Sequence, residues 1–129
     1  MAKRYNRRRI EEKGERVSKN LTVERMIVQY LPEVEKYLNE LSLILFEKNY
    51  FSFVESSFRY VDDLIDFIEY NLPIFPAKQT PEKLSSLGSE YIFYKANQNT
   101  TWYIFFERSD NRFMVTFITN SHSDLVKLL

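Results

Sequence analysis

The chain has 129 residues, with eleven Phe, nine Tyr and one Trp, but no Cys, one His and two Gly. That length suffices for one domain with its own core. The composition excludes disulfides, thiolate or multi-histidine metal sites and glycine-rich phosphate loops, so no cofactor is expected. A formal charge of zero conceals an asymmetry: residues 1–22 hold eight Lys/Arg against three Asp/Glu, and residues 23–129 hold ten against fifteen.

The basic segment contains Lys3, Arg4, Arg7, Arg8 and Arg9, a cluster able to pair with phosphates. The more ordinary reading is a solvated extension over 1–20, ahead of a domain over 21–129. A short helix is a third option, because Glu12–Arg16 and Glu15–Lys19 sit at i,i+4 in the favourable order, although Gly14 weakens it. No apolar run long enough for a secretory signal follows the basic residues. The longest apolar block, Leu41–Phe46, is too short to span a bilayer. A soluble, cytoplasmic protein without membrane contact is expected.

Leu21–Leu31 reads as a strand, ended by Pro32, which is well placed to open a helix. Val34, Leu38, Leu41 and Leu45 then recur at helical spacing to about Glu47 or Lys48. Ser52 with Glu55 three residues on matches a capping box and predicts a second helix start. Val54, Phe58, Val61, Ile65 and Ile68 form its apolar stripe, and Pro73 sets its stop. Two helices with so short a connection form an antiparallel αα-hairpin. Its outer face, with Glu55, Arg59, Asp62, Asp66 and Glu69, reads as solvated. A pair such as Asp62 and Asp66 lacks a third carboxylate for Mg²⁺ or Ca²⁺. The basic segment is a conceivable partner for that face.

Pro73, Pro76, Pro81 and Gly88 mark Leu72–Ser89 as a surface loop, with room for a helical turn at Pro81–Leu84. Three aromatic runs close the chain: Glu90–Ala96, Trp102–Glu107 and Phe113–Asn120. Polar breaks between them make a β-meander. Strict alternation places Phe93, Ile104, Phe106, Val115 and Phe117 on one face. Ile92, Tyr94, Tyr103, Phe105, Met114 and Ile118 fall on the other. Two apolar faces predict that helices cover one and that a partner, ligand or nucleic acid covers the other.

Strand, Pro-initiated helix, second helix, loop and meander, over Val23–Asp124, resemble the RelE/ParE family of bacterial toxins. The resemblance rests on Val28-Gln-Tyr-Leu-Pro-Glu-Val-Glu-Lys36, on Tyr91-Ile-Phe-Tyr94 with Trp102-Tyr-Ile-Phe-Phe106, and on Ile118-Thr-Asn-Ser-His-Ser-Asp124. It implies an α+β fold: a four-stranded, largely antiparallel sheet with the helical hairpin on one face and a concave working surface on the other. It implies either an mRNA interferase acting at the ribosome or a poison of DNA gyrase, neutralised by an antitoxin protein.

In RelE-like members a cluster of Lys and Arg on the sheet, with an Arg or His near the C-terminus, cleaves RNA without metal. At the corresponding positions this chain carries Ile92 and Tyr94, with Lys95 at the opposite parity, then Tyr103, and finally His122. The candidate catalytic groups are therefore His122, Tyr94 and Tyr103. Imidazole titrates near neutrality and suits proton transfer, while phenols can donate to phosphate or stack on bases. Lys78, Lys83, Lys95, Arg108 and Arg112 are the candidate nucleic-acid contacts. The thin cationic lining leaves two alternatives: a catalytically inactive interaction module, forming a homodimer or a hetero-complex, and a nucleic-acid binder using the basic segment.

Overall fold

A computed structural model describes residues 26–129, together with the backbone strand pairing of Arg16–Val17. The elements, in order, are β1 (Arg16–Val17), β2 (Ile27–Tyr30), α1 (Pro32–Glu47), α2 (Val54–Asn71), β3 (Lys78–Gln79), β4 (Glu90–Lys95), β5 (Thr101–Ser109) and β6 (Arg112–Asn120). Short 3-10 turns occupy Glu82–Leu87 and Asp124–Leu128. The sheet runs β1-β2-β6-β5-β4-β3 and is antiparallel except for the β2–β6 pair. The class is α+β, with a mostly antiparallel open sheet. Beyond the four expected strands, the sheet carries two-residue strands at both edges.

α1 begins at Pro32, whose fixed φ suits a first turn and whose missing N–H would be unpaired there anyway. Its end is a Schellman motif: Asn49, at φ 64°, donates to the Phe46 carbonyl, and Tyr50 donates back to the Leu45 carbonyl. Asn is among the few residues that tolerate this left-handed conformation. α2 starts at Val54, after Phe53, with no side-chain cap. The expected Ser52–Glu55 capping box does not form, because Phe53, with an extended backbone, takes the N-cap position and the helix begins at Val54. Val61, Leu64, Ile65 and Ile68 are fully buried, and burying each such side chain contributes about 1.5–3 kcal/mol. They meet Leu38 and Leu41 of α1 and the inward residues of the sheet in one core.

The faces of the sheet differ from simple alternation. Ile92 pairs with Ile104, and Tyr94 with Trp102, so these four face the helices along with Phe106. Tyr91, Phe93, Tyr103 and Phe105 take the opposite face. In β6 the register skips Thr116, since Phe105 pairs with Phe117 but Phe106 with Val115. This bulge lets Phe113, Val115 and Ile118 all point into the same core.

Part of the second face is covered by the chain itself. Leu84, of the first 3-10 turn, is buried with Phe105 and Tyr91. Gly88 lies directly over Phe105, and the Thr116 hydroxyl at the bulge donates to the Leu87 carbonyl. The second 3-10 turn packs beside the first. What reads as a surface loop in the sequence is thus partly a lid on the sheet. At the β4 edge the β3 pairing stops at Lys78–Tyr91, and Phe75 packs edge-on against Phe93 at 5.7 Å.

The outer face of α2 also differs from the solvated reading, since Asp62 and Glu69 are buried, at 7% and 4% exposure. The Tyr30 hydroxyl donates to Glu69 at 3.0 Å, tying α2 to β2. The helical option for the basic segment fails at Arg16–Val17, which pair with β2 as strand. Its remaining residues, Lys3 to Arg9 included, lie outside the described residues. Among the described residues, no helix is long and apolar enough to cross a membrane.

Candidate functional site

The tip of the helical hairpin overhangs one end of the sheet and leaves an open cavity of about 370 Å³ between them. The helical wall is apolar: Tyr37, Leu41, Ile44 and Leu45 come from α1, Phe51 from the connection and Tyr60 from α2. The Schellman turn at Asn49 aims Tyr50 and Phe51 towards it. Trp102, 1% exposed, lies at the base. Its indole N–H donates to the Tyr60 hydroxyl at 2.8 Å. Tyr60 in turn packs against Phe51, with ring centroids 5.1 Å apart.

The opposite rim is polar, because here β4 turns into β5 and β6 ends. Asn97, Thr100, Asn120, His122 and Ser123 line it, with Lys48 reaching in from the end of α1. His122 is exposed, and its Nε2 lies 3.1 Å from the Thr100 hydroxyl. Its backbone N–H donates to the Asn120 side-chain oxygen at 2.9 Å. Two short polar contacts therefore fix where the imidazole stands, next to a cavity and open to solvent.

The other candidates do not converge on this point. Tyr94 faces the helices and stacks on Phe67 at 4.7 Å. Tyr103 lies on the opposite face, 6.1 Å from Tyr91. Ile92, matched above to a cation position, is fully buried in the core. The parity reversal places Lys95, opposite Thr101, on the same face as Tyr103. Lys95 marks the cavity end of the sheet, whereas Arg108 and Arg112 mark the other end, about seven residues or roughly 20 Å along β5. Arg108 bonds Glu90 at 2.9 Å and covers the rings of Phe106 and Phe113. Arg112 reaches the Gln29 side chain at 3.3 Å. Lys78 and Lys83 are exposed, on β3 and on the first 3-10 turn. The five cations do not form a single phosphate track. Among the described residues, no group of three or more His, Asp or Glu is placed to hold a metal.

Four phenols have raised pKa values. Burial is the leading cause for Tyr37, Tyr60, Tyr91 and Tyr94. Charge repulsion from Tyr60 adds to it at Tyr37, from Tyr103 at Tyr91, and from Asp63 and then Tyr60 at Tyr94. At Tyr60 the indole N–H of Trp102 partly offsets it. All four are neutral at pH 7, so none is a ready base. Since the folded values lie above the ordinary 10.0, their stabilising contribution is complete below that value. It is lost as pH rises through the folded values. The urea midpoint should therefore fall above about pH 10, as tyrosinate absorbance grows. A midpoint that holds steady to about pH 11 would contradict these burials.

Sequence reasoning picked out His122 but not the cavity beside it. Tyr37 reads as widening the apolar stripe of the first helix, Asn97 as part of a polar break and Asn120 as the end of the last aromatic run, while Tyr60 carries no signal of its own. The available signal was the lone Trp, next to Thr100–Thr101 and opposite the Asn120–Ser123 segment. Fold and site together define an α+β domain whose helical hairpin lies across one sheet face, with a solvent-open cavity at the hairpin tip. Beyond that class, the chain matches no family model, no curated protein and no solved structure.

Proposed function

We propose that this protein is the toxin component of a two-gene toxin–antitoxin module, a divergent relative of the RelE/ParE toxins, acting in the cytoplasm and neutralised by an antitoxin protein. The observation that carries this reading is the chain path. A strand leads into a Pro-initiated αα-hairpin across one sheet face, and a meander returns to pair its last strand in parallel with the first. That path matches the order from which the resemblance was drawn, although two short edge strands go beyond the four-stranded sheet it implies.

In this reading the target is mRNA at the ribosome or DNA gyrase. For RNA cleavage, His122 is the acid/base group. It would take the 2′-hydroxyl proton as that oxygen attacks phosphorus, or return a proton to the departing 5′-oxygen. Lys95 and Tyr103, on one face at the same end of the sheet, are the nearest candidates for substrate contact. The test is induced expression without a partner gene, which should arrest growth, with His122→Ala releasing the arrest. Normal growth of both strains would remove this function.

A second reading has a specific observation behind it: an interaction module without catalysis. Ile92 is core, Tyr94 is stacked against α2, and the cations stand apart along the sheet. This reading expects a homodimer or a co-purifying protein, and no RNA cleavage. Exposed Tyr50 and Phe53 at the hairpin tip, at 60% and 69%, are natural contacts for such a partner.

A further inference from the structure

We propose that the hairpin-tip cavity is a binding site for a small amphipathic monoanion: a flat apolar ring carrying a carboxylate on a short arm. The inference stands apart from the toxin reading, because it concerns binding by the isolated protein. It begins with the division of the walls. One side offers rings and aliphatic carbons from Tyr37, Leu41, Ile44 and Phe51, above a Trp102 base already anchored to Tyr60. A planar apolar group fits such a surface, and the volume of about 370 Å³ lies within the range of small-ligand sites.

The polar rim decides the sign of the ligand. Among the described residues no Asp or Glu lines the cavity, although residues 23–129 carry an excess of acids over bases. Lys48 supplies a cation. The side-chain oxygens of Asn97 and Asn120 already accept the backbone N–H groups of Asn99 and His122, at 2.8 and 2.9 Å. Each amide therefore has its NH₂ left to offer, and an NH₂ only donates. The Ser123 hydroxyl oxygen likewise accepts the Leu125 N–H at 3.2 Å, which leaves its O–H available. Donors and one ammonium around an apolar slot call for an acceptor group with negative charge. Among the described residues Lys48 is the one lysine of the lining, and it balances a single charge, which favours a carboxylate over a phosphate dianion. The same chemistry exists in a free aromatic acid and in the C-terminal Phe of a peptide.

Trp102 is the only tryptophan of the chain, so its fluorescence and its indole N–H resonance report on this cavity alone. The intact protein is titrated with 3-phenylpropionate, with the neutral 3-phenylpropionamide, and with acetyl-Gly-Gly-Phe as the free acid. A saturable Trp102 response to at least one acid is expected. It should be about tenfold weaker or more for the amide and in Lys48→Met, as loss of a charged hydrogen bond requires. Tighter binding of the peptide acid identifies a chain terminus as the source, and tighter binding of the free acid a small molecule. Lys48 is exposed at the helix end, so its replacement leaves the fold in place. The proposal is overturned if neither acid saturates the fluorescence or the indole resonance by about 10 mM. Equal affinities for acid and amide, or for wild type and Lys48→Met, overturn it as well.

Discussion

Replacing Trp102 with alanine is expected to lower stability by about 3–5 kcal/mol, the range for removing a large buried aromatic. The side chain is 1% exposed and joins the sheet to both helices of the hairpin. Its loss would empty the base of the cavity, remove an edge-on contact with Tyr60 at 6.5 Å and leave the Tyr60 hydroxyl without its donor. Domains of this size are held by only about 5–15 kcal/mol, so the variant should be partly unfolded or melt far below the parent. Urea denaturation followed by far-ultraviolet circular dichroism measures it without needing the tryptophan. Tyr60→Phe isolates the polar part: it keeps the ring but strands a buried indole N–H, at about 1–3 kcal/mol. If Tyr60→Phe unfolds at the parent's midpoint, the 2.8 Å bond between these residues does not contribute as described.

Gly88→Ala is the second large effect, expected to cost about 1–3 kcal/mol through overpacking. A Cβ built there stands 2.9 Å from the Phe106 backbone nitrogen, 2.9 Å from the Phe105 Cβ and 2.7 Å from the Thr116 Oγ1. A hydroxyl can rotate away, but a strand backbone cannot, so the turn itself must lift. Lifting it pulls Leu84 from the second face and strains the bonds that Ser89 makes to Glu107. The predicted signature is a lower urea midpoint together with greater proteolytic cutting between residues 80 and 89. A variant as stable and as protease-resistant as the parent would mean that this glycine's close approach to the sheet is dispensable.

Much of the architecture is legible before any coordinates. Pro32 and the Val34–Leu38–Leu41–Leu45 spacing place α1 to within a residue, since a fixed φ and a 3.6-residue period are local signals. The three aromatic runs become β4, β5 and β6 because polar breaks bound them. The faces were not legible. Counting alternate residues assigns Val115 and Ile118 to opposite sides, and only the Thr116 bulge, a property of pairing with β5, brings them together. The phase of β4 against β5 is likewise set by the Ala96–Thr100 turn, and a slip of one residue exchanges every side chain. Hence Ile92 and Tyr94 read as surface and proved inward. The cavity was hidden for a related reason, since it is assembled from four separate segments, and neither His122 nor the apolar stripe of α1 signals from its own segment that the others converge on it. Burial of Asp62 and Glu69 also escaped, because a carboxylate on a helix surface reads as solvated until its tertiary neighbours are known.

The parallel pairing of β2 with β6 has a consequence for the order in which this chain acquires its shape. Ile27 lies beside Arg112 and Tyr30 beside Val115, so the strand that opens the domain takes its neighbour from close to the far end. The meander and the helical hairpin close through short local turns, whereas this pair must bring together segments separated by most of the domain. Until β6 is in place, Val28 and Tyr30 lack their principal flank, and α1 follows directly from a strand without a sheet to join. Closing this pair carries the largest loop-closure cost in the sheet, so it is expected to form after the local turns. A chain halted before Arg112 holds both helices of the hairpin and most of the aromatic residues, yet offers β2 no parallel neighbour.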